Sequence, residues 1–510
     1  MRRSHGSMAM TAPQTDRQQS YFHILKSMAM IGGSSVINVL FSIVKNKALA
    51  ILLGPAGVGQ MSLYLSIVDL AQALAGFGVQ SSGVRQIAES AGTGDTDRIA
   101  RTATALRRTS VVLGLIGAVL IAALASPIAN LTFGDDQHTL GVALLALAIL
   151  LQLVAGGQIA LTQGMRDIAS LARIQILSGL ATTCITVSLV FLFGPAALAP
   201  AIVMSAAALL LICWWSGRKL RISRQAMSTG ELVEEVAPLL KLGFAFMLSG
   251  ILGFGAAYVI RMLVTWEGGI AAAGQYQAAW ALGGLYAGFI LQAMGADFYP
   301  RLTAAASDHV AANRLVNEQT QISLLLGGPG VLATLTFAPV AMWLFYSPEF
   351  YPAAEILRWI CLGVLLRIVS WPLGYVIIAK GRQMIFFFSE VVSHSLHVVL
   401  AVLLVPRLGP TGAAIAFLGL YVWQGFMVYA IACHLTQFRW SGANVRTGAL
   451  FIAASGLVFC ATQYLAPWQA MAAGTLVTLV LGLHALRSLL SLLPPESLPM
   501  PVRALLSKSV

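Results

Sequence analysis

Two lysines, Lys45 and Lys47, stand inside an apolar run that extends from Ser27 to Leu52. A cation in hydrocarbon is costly and is kept where it binds a substrate, an ion or a counter-charge. Arg261 stands at the same depth of a later apolar run, and Arg367 lies about a dozen residues into another, near its middle. Against these four bases the runs hold two acids well inside them, Asp69 and Glu390. Ammonium and guanidinium groups in low dielectric attract anions, and phosphate oxygens accept hydrogen bonds from both. The chemistry these residues suit is therefore reversible binding of a phosphate-bearing molecule, and an organic cation would be repelled.

Helical spacing refines the assignment. Ser34, Asn38 and Lys45 share one helix face, while Lys47 points elsewhere. At ~1.5 Å per residue Lys45 lies roughly 27 Å from Ser27, in the outer third of its span. Snorkelling to the outer interface thus competes with binding for Lys45, Lys47 and Arg261. Arg367 is too deep for that, and its expected neighbour is Glu390, which shares a face with His394 and His397. A plain ion pair with Arg367 and a proton-coupling Glu and His cluster are both open. Asp69 either pairs with Lys45 or Lys47 or titrates as a coupling site. Gln275 and Gln277, with Gln152, Gln175 and Gln292, supply hydrogen-bonding groups for sugar hydroxyls or for contacts between helices.

The elements that position these side chains follow from composition. The chain has 510 residues, 58% hydrophobic and 10% charged, with a mean hydropathy of +0.81. Runs of about 20 apolar residues predict an all-α polytopic membrane protein of about 14 transmembrane helices, beginning near Ser27, Gly57, Thr109, Thr139, Arg173, Pro195, Lys241, Ala271, Gln321, Glu355, Ile385, Thr411, Thr447 and Trp468. The five cysteines fall in or beside predicted spans with no paired spacing, so neither a disulfide framework nor a metal site is expected. The net charge is +12, and lysine and arginine are densest in the stretches Arg85 to Arg108 and Arg218 to Lys241. This positive-inside pattern predicts cytoplasmic termini and makes the basic excess a topology signal, not a nucleic-acid surface. Between Ser81 and Arg108, bases alternate with Ile87, Ala88, Ile99 and Leu106, which suits either an interfacial helix on headgroups or a solvated connector.

The second half of the chain repeats the first. Gly59-Gln60 recurs as Gly274-Gln275 and Gly194-Pro195 as Gly409-Pro410, both at the same offset along the chain. An even number of spans separates each pair, so the predicted fold is two parallel-repeat six-helix lobes around a central cavity plus two C-terminal helices. The expected organisation is a cytoplasmic tail at 1–25, an N-lobe at 26–225, an inter-lobe linker at 226–240, a C-lobe at 241–435, two further spans at 446–490 and a cytoplasmic tail at 491–510.

The run LGPAGVG at 53–59, the span end with Gly76, Gly78 and Val84-Arg85, the turn GMRD at 164–167, YPRL at 299–302 and GYVIIAK at 374–380 occur in the order found in Wzx-type flippases. The chain resembles that family, a branch of the multidrug/oligosaccharidyl-lipid/polysaccharide exporter superfamily, over Lys26 to Leu435. The resemblance implies alternating-access translocation of undecaprenyl-pyrophosphate-linked oligosaccharide repeat units, of the O-antigen or lipid III type, across the bacterial inner membrane. It implies a cationic cavity in which Lys45, Arg261, Arg367 and Lys47 hold the pyrophosphate and Asn38, Gln275 and Gln277 meet the glycan, with Asp69, Glu390 and His394 coupling or pairing. The implied partners are the lipid-linked oligosaccharide, bilayer lipids and a polysaccharide polymerase with its chain-length machinery. Neither a cofactor nor a catalytic residue is expected, since no nucleophile motif, paired carboxylates or large outer loop occurs. The rival readings are a cation-coupled multidrug exporter on the same fold and a membrane glycan polymerase or ligase.

Overall fold

The computed structural model describes residues 14–218, 227–293 and 298–492. The tail segments 1–13 and 493–510, residues 219–226 beside and at the start of the expected linker, and the side chains of Ser34 and Gln292 lie outside the described residues. The chain folds as α1 (Gln14–Ala75), α2 (Val79–Thr93), α3 (Thr96–Ala123), α4 (Ala125–Phe133), α5 (Thr139–Gly164), α6 (Ile168–Phe193), α7 (Leu198–Gly217) and α8 (Thr229–Ala293). It continues with α9 (Tyr299–Ala304), α10 (His309–Thr336), α11 (Ala338–Phe345), α12 (Ala353–Ala379), α13 (Gln383–Leu408), α14 (Pro410–Thr436), α15 (Gly442–Tyr464) and α16 (Pro467–Leu492). No strand occurs among the described residues. The helix α1 already begins at Gln14, so residues 14–25 of the expected tail extend the first helix.

At 62 and 65 residues, α1 and α8 are far longer than one span. At ~1.5 Å per residue each would measure about 90 Å, three times a ~30 Å hydrocarbon core. Each contains one break, at Gly54 (φ 63°, ψ −165°) and Gly269 (φ 78°, ψ 175°), in a conformation that a side chain with a Cβ rarely adopts. The chain doubles back there: Asn38 and Lys45 before Gly54 line the same cavity as Met61 and Leu65 after it. A straight helix would hold Asn38 and Leu65 about 40 Å apart. Ten described helices are long and apolar enough to cross a membrane, and His309–Phe345 forms an eleventh span bent by 80°. Dividing the three double-length helical stretches at Gly54, Gly194 and Gly269 gives the fourteen spans expected.

Backbone geometry repeats with the sequence. Gly54 and Gly269, Arg166 and Gly381, and Gly194 and Gly409 all have positive φ, and the members of each pair stand at the offset of the sequence repeat. Asp95 and Asp308 cap α3 and α10 in the same way, each accepting hydrogen bonds from backbone amides of the first turn. The α8 start, in the region expected to be linker, is a capping box. Ser228 N and Oγ donate to Glu231 Oε2 at 2.7 and 2.8 Å, and Glu231 N donates back to Ser228 Oγ at 3.3 Å.

The basic segment after the second span is helical and rests one side on its own lobe. The apolar side of its helix α2 is covered by protein, since Val79 and Ile87 pack with Ala103 and Leu106 of α3 and Ala160 and Leu161 of α5. The two C-terminal helices pack on the C-lobe. Phe451 fills the space over Gly328, Trp359 stacks edge-on against Phe459, and Asn444 Nδ2 donates to Asn317 at 2.8 and 3.0 Å. The perimeter is apolar: Val119, Phe191, Leu211, Phe426 and Leu457 are each more than 60% exposed, as lipid-facing residues must be.

Candidate functional site

The end of the bundle at which α1 begins is called here the near end, and the opposite end the far end. The lobes meet along a seam between the second half of α1 and α8, on both sides of the Gly269 break. At its far end a Cβ on Gly59 would collide with the Ile270 carbonyl, and one on Gly274 with the Pro55 carbonyl. The two contacts are copies of each other, since Gly59 is equivalent to Gly274 and Pro55 to Ile270 in the sequence repeat. Gly250 faces Ala73 further along, and at the near end Gly243 abuts the Phe77 carbonyl. The far end is also strapped reciprocally. Lys47 Nζ donates to the Trp343 carbonyl of α11 at 2.8 Å, and Trp266 Nε1 donates to the Leu131 carbonyl of α4 at 2.8 Å. Lys47 is therefore engaged in holding α1 to the C-lobe.

The other bases occupy three separate places. Lys45 lines a cavity of about 370 Å³ inside the N-lobe, among Asn38, Gln152, Gln175, Ser178 and Ser205. The spacing argument that put Asn38 and Lys45 on one face agrees with this. Among the described residues no acid lines that cavity, and Lys45 makes no hydrogen bond or ion pair with another of them. Gln152 accepts a hydrogen bond from Gln72, which ties the cavity wall to the second half of α1.

Arg261 sits beside the seam. Its Nε donates to Gln277 Oε1 at 3.1 Å and its side chain also reaches the Ala257 carbonyl at 3.4 Å. Asp69 lies within electrostatic reach of Arg261 without a salt-bridge contact. Asp69 thus faces Arg261 across the lobes, not Lys45 or Lys47 as the sequence suggested. The helix on which Asp69 stands turns that side chain toward α8, a rotation that composition alone does not reveal. Gln275, two residues from Gln277 on the same helix, makes no side-chain hydrogen bond among the described residues.

Arg367, Glu390 and His394 come together in a cavity of about 260 Å³ inside the C-lobe, walled by Trp371, Tyr375 and Tyr421. The expected Arg367 to Glu390 contact is not formed. Glu390 instead faces His394 Nε2 at 3.5 Å, one helical turn away. The Arg367 guanidinium lies 4.9 Å from the centre of the Trp371 ring and 5.8 Å from that of Tyr421, and its buried Nε lacks a hydrogen-bond partner among the described residues. His397 is buried behind this group.

The two intralobe cavities are copies. Gln152 and Arg367, Gln175 and Glu390, Ser178 and Ser393, and Ala206 and Tyr421 line them at positions that the sequence repeat makes equivalent. The sequence carried this signal as a constant offset. The exchange of neutral amides for charged groups at two of these positions hid it.

Comparison with known proteins places this architecture. The polysaccharide biosynthesis protein family matches residues 24–306, more than half of the chain. The chain belongs to that family. Curated proteins similar to this family member include the lipid III flippases of Escherichia coli (strain K12) and Shigella flexneri, each 23% identical over 416 residues that cover 78% of this chain and 95% of the relative. Among solved structures, a lipid II flippase MurJ in an inward closed conformation superposes with a TM-score of 0.68 at 12% identity, covering 91% of this chain and all of the other. An inward-facing MATE family multidrug resistance transporter of the MOP superfamily gives 0.62 at 17% identity, covering 79% and 96%. These likenesses establish the exporter-superfamily fold and agree with the resemblance carried by the short motifs. The polysaccharide family membership and the flippase relatives separate this chain from the multidrug branch that shares its fold. No group of three or more metal-ligating side chains occurs among the described residues.

Proposed function

We propose that the chain is an inner-membrane flippase that moves undecaprenyl-pyrophosphate-linked oligosaccharide repeat units from the cytoplasmic to the periplasmic leaflet by alternating access. In this reading the near end is cytoplasmic, the polyprenyl tail stays in lipid, and the pyrophosphate and glycan pass between the lobes. The observation that carries it is Lys45, a cation held within the membrane beside Asn38 and two glutamines, with no acid lining its cavity among the described residues. An unneutralised ammonium among uncharged hydrogen-bonding groups suits a substrate that is anionic at one end and rich in hydroxyls at the other. Arg261, with Gln277 beside it and Gln275 on the same helix, supplies the second positive contact from the C-lobe. Arg367, Glu390 and His394, a group in which the carboxylate meets an imidazole, act in charge coupling, with Asp69 modulating Arg261. An outside-positive potential favours outward movement of the anionic head by ~2.3 kcal/mol per charge per 100 mV. A polymerase and its chain-length machinery would take up the product.

The test is reconstitution into liposomes with a defined lipid-linked oligosaccharide, scoring translocation for wild type, Lys45→Ala and Arg261→Ala. A charge-assisted hydrogen bond to phosphate is worth ~1.5–3 kcal/mol, so each variant should translocate at least about tenfold more slowly. Unchanged rates in both would overturn the cationic-site reading.

A further inference from the structure

The outer face of the N-lobe carries a second basic site, remote from the seam. Its parts come from the near ends of α3, α5 and α7. Arg107 Nε donates to Gln158 Oε1 at 3.3 Å, and the Gln158 amide is wedged against Gly217, where a Cβ would displace it. The Arg218 guanidinium carbon lies 3.7 Å from the centre of the Trp214 ring. With Val111, Val154 and Leu210 these side chains line a groove of about 280 Å³, and no acid is among its described lining residues. The groove opens onto lipid-facing surface, since Trp214 is 55% exposed and its neighbours Val111, Val112 and Leu211 are exposed as well.

The order of chemistry along the groove matches half a bilayer. Aliphatic walls come first, an indole follows, and two guanidinium groups with an amide stand at the near end. Acyl chain, glycerol backbone and phosphate occur in the same order, and tryptophan and arginine are the side chains that favour that boundary. Internal symmetry adds an independent argument. The equivalent C-lobe positions are Thr320, matched through the helix caps Asp95 and Asp308, and Leu373, Tyr429 and Cys433. There Thr320 and Leu373 are buried, α15 and α16 lie on α10, and Tyr429 stacks on Trp440 from the segment entering α15. Protein covers this face in one lobe, and in the other the described residues leave the Trp214 side exposed and basic.

We propose that the groove holds the phosphate headgroup of an anionic phospholipid from the leaflet at the near end. Arg107 and Arg218 contact the phosphate, Gln158 fixes Arg107, and one acyl chain lies along Val111, Val154 and Leu210. The same chemistry could recognise the pyrophosphate of a polyprenyl-linked lipid, so the experiment must separate the two sources.

The full chain is purified into nanodiscs of mixed phosphatidylglycerol and phosphatidylcholine, and lipids retained on release are counted by native mass spectrometry. Wild type should retain phosphatidylglycerol preferentially, and Arg107→Gln with Arg218→Gln should lose that preference by at least about fivefold. Should the double variant fold poorly, Arg218→Gln alone changes only an exposed side chain and is scored in its place. In a parallel measurement, brominated phosphatidylglycerol should quench Trp214 more than brominated phosphatidylcholine does, with Trp214→Phe as the blank. Equal retention by wild type and variant would overturn the proposal. So would one-for-one displacement of phosphatidylglycerol by equimolar undecaprenyl pyrophosphate, which would make the groove a waiting site for the polyprenyl-linked lipid.

Discussion

At the scale of single residues, the duplicated cavities show what a charge needs in order to stay inside the membrane. Arg367 replaces the neutral Gln152 of the other lobe and is accommodated by aromatic faces, with Glu390 in the same cavity. Arg261 is accommodated differently, by the Gln277 amide and the Ala257 carbonyl. Its Nε has Gln277 Oε1 as acceptor, and the nearby Asp69 does not touch it. The two glutamines that the sequence offers as equals, Gln275 and Gln277, therefore differ in consequence. Gln277→Leu leaves a buried guanidinium N–H without its acceptor and should destabilise the protein by ~1.5–3 kcal/mol. Gln275→Leu, which removes no side-chain hydrogen bond among the described residues, should stay within about 0.5 kcal/mol. Thermal unfolding of the two variants in nanodiscs measures the difference, and equal losses would mean that Gln277 is not what holds Arg261.

At the scale of elements, glycine decides where helices cross. The far-end seam exists because Gly59 and Gly274 present no side chain to the Ile270 and Pro55 carbonyls. Valine at both positions cannot be accommodated without separating α1 from α8, so Gly59→Val with Gly274→Val should hold the far end open. Spin labels at the exposed positions Ala56 and Ala271, one on each turn, would report this as a shift to longer distances. An unchanged distribution would show that the seam closes by other contacts. The duplicated turns were legible in the sequence because glycine and proline mark them, and the spans because each needs about 20 apolar residues. The counter-charges were not legible. Which way Asp69 faces depends on how α1 rotates against α8, and the fate of the apolar side of α2 depends on α3 and α5 lying over it. Periodicity reports that a face exists, and tertiary packing decides what covers it.

At the scale of the whole molecule, the proposed alternating access divides the contacts into a seam that its cycle would break and surfaces that it would not. The seam combines glycine crossings and single hydrogen bonds such as Lys47 to the Trp343 carbonyl. The union of α15 and α16 with α10 is of the other kind, with Phe451 seated over Gly328 and Asn444 bonded twice to Asn317. Removing a buried phenylalanine from such a surface costs about 3–5 kcal/mol, so the C-terminal pair should travel with the C-lobe as one body. A disulfide tests this. A Cβ on Gly474 of α16 would lie 3.1 Å from the Cβ of Thr336 on α10, near the ~3.5–4.5 Å that a bridge spans. Thr336→Cys with Gly474→Cys, oxidised in liposomes, should translocate at the rate of its reduced form. A cysteine pair at Ala56 and Ala271, joined by a short bismaleimide across the seam, should stop transport. If the α10 to α16 bridge stops it instead, α16 must slide on the C-lobe during the cycle, and the last two helices belong to the moving machinery and not to its frame.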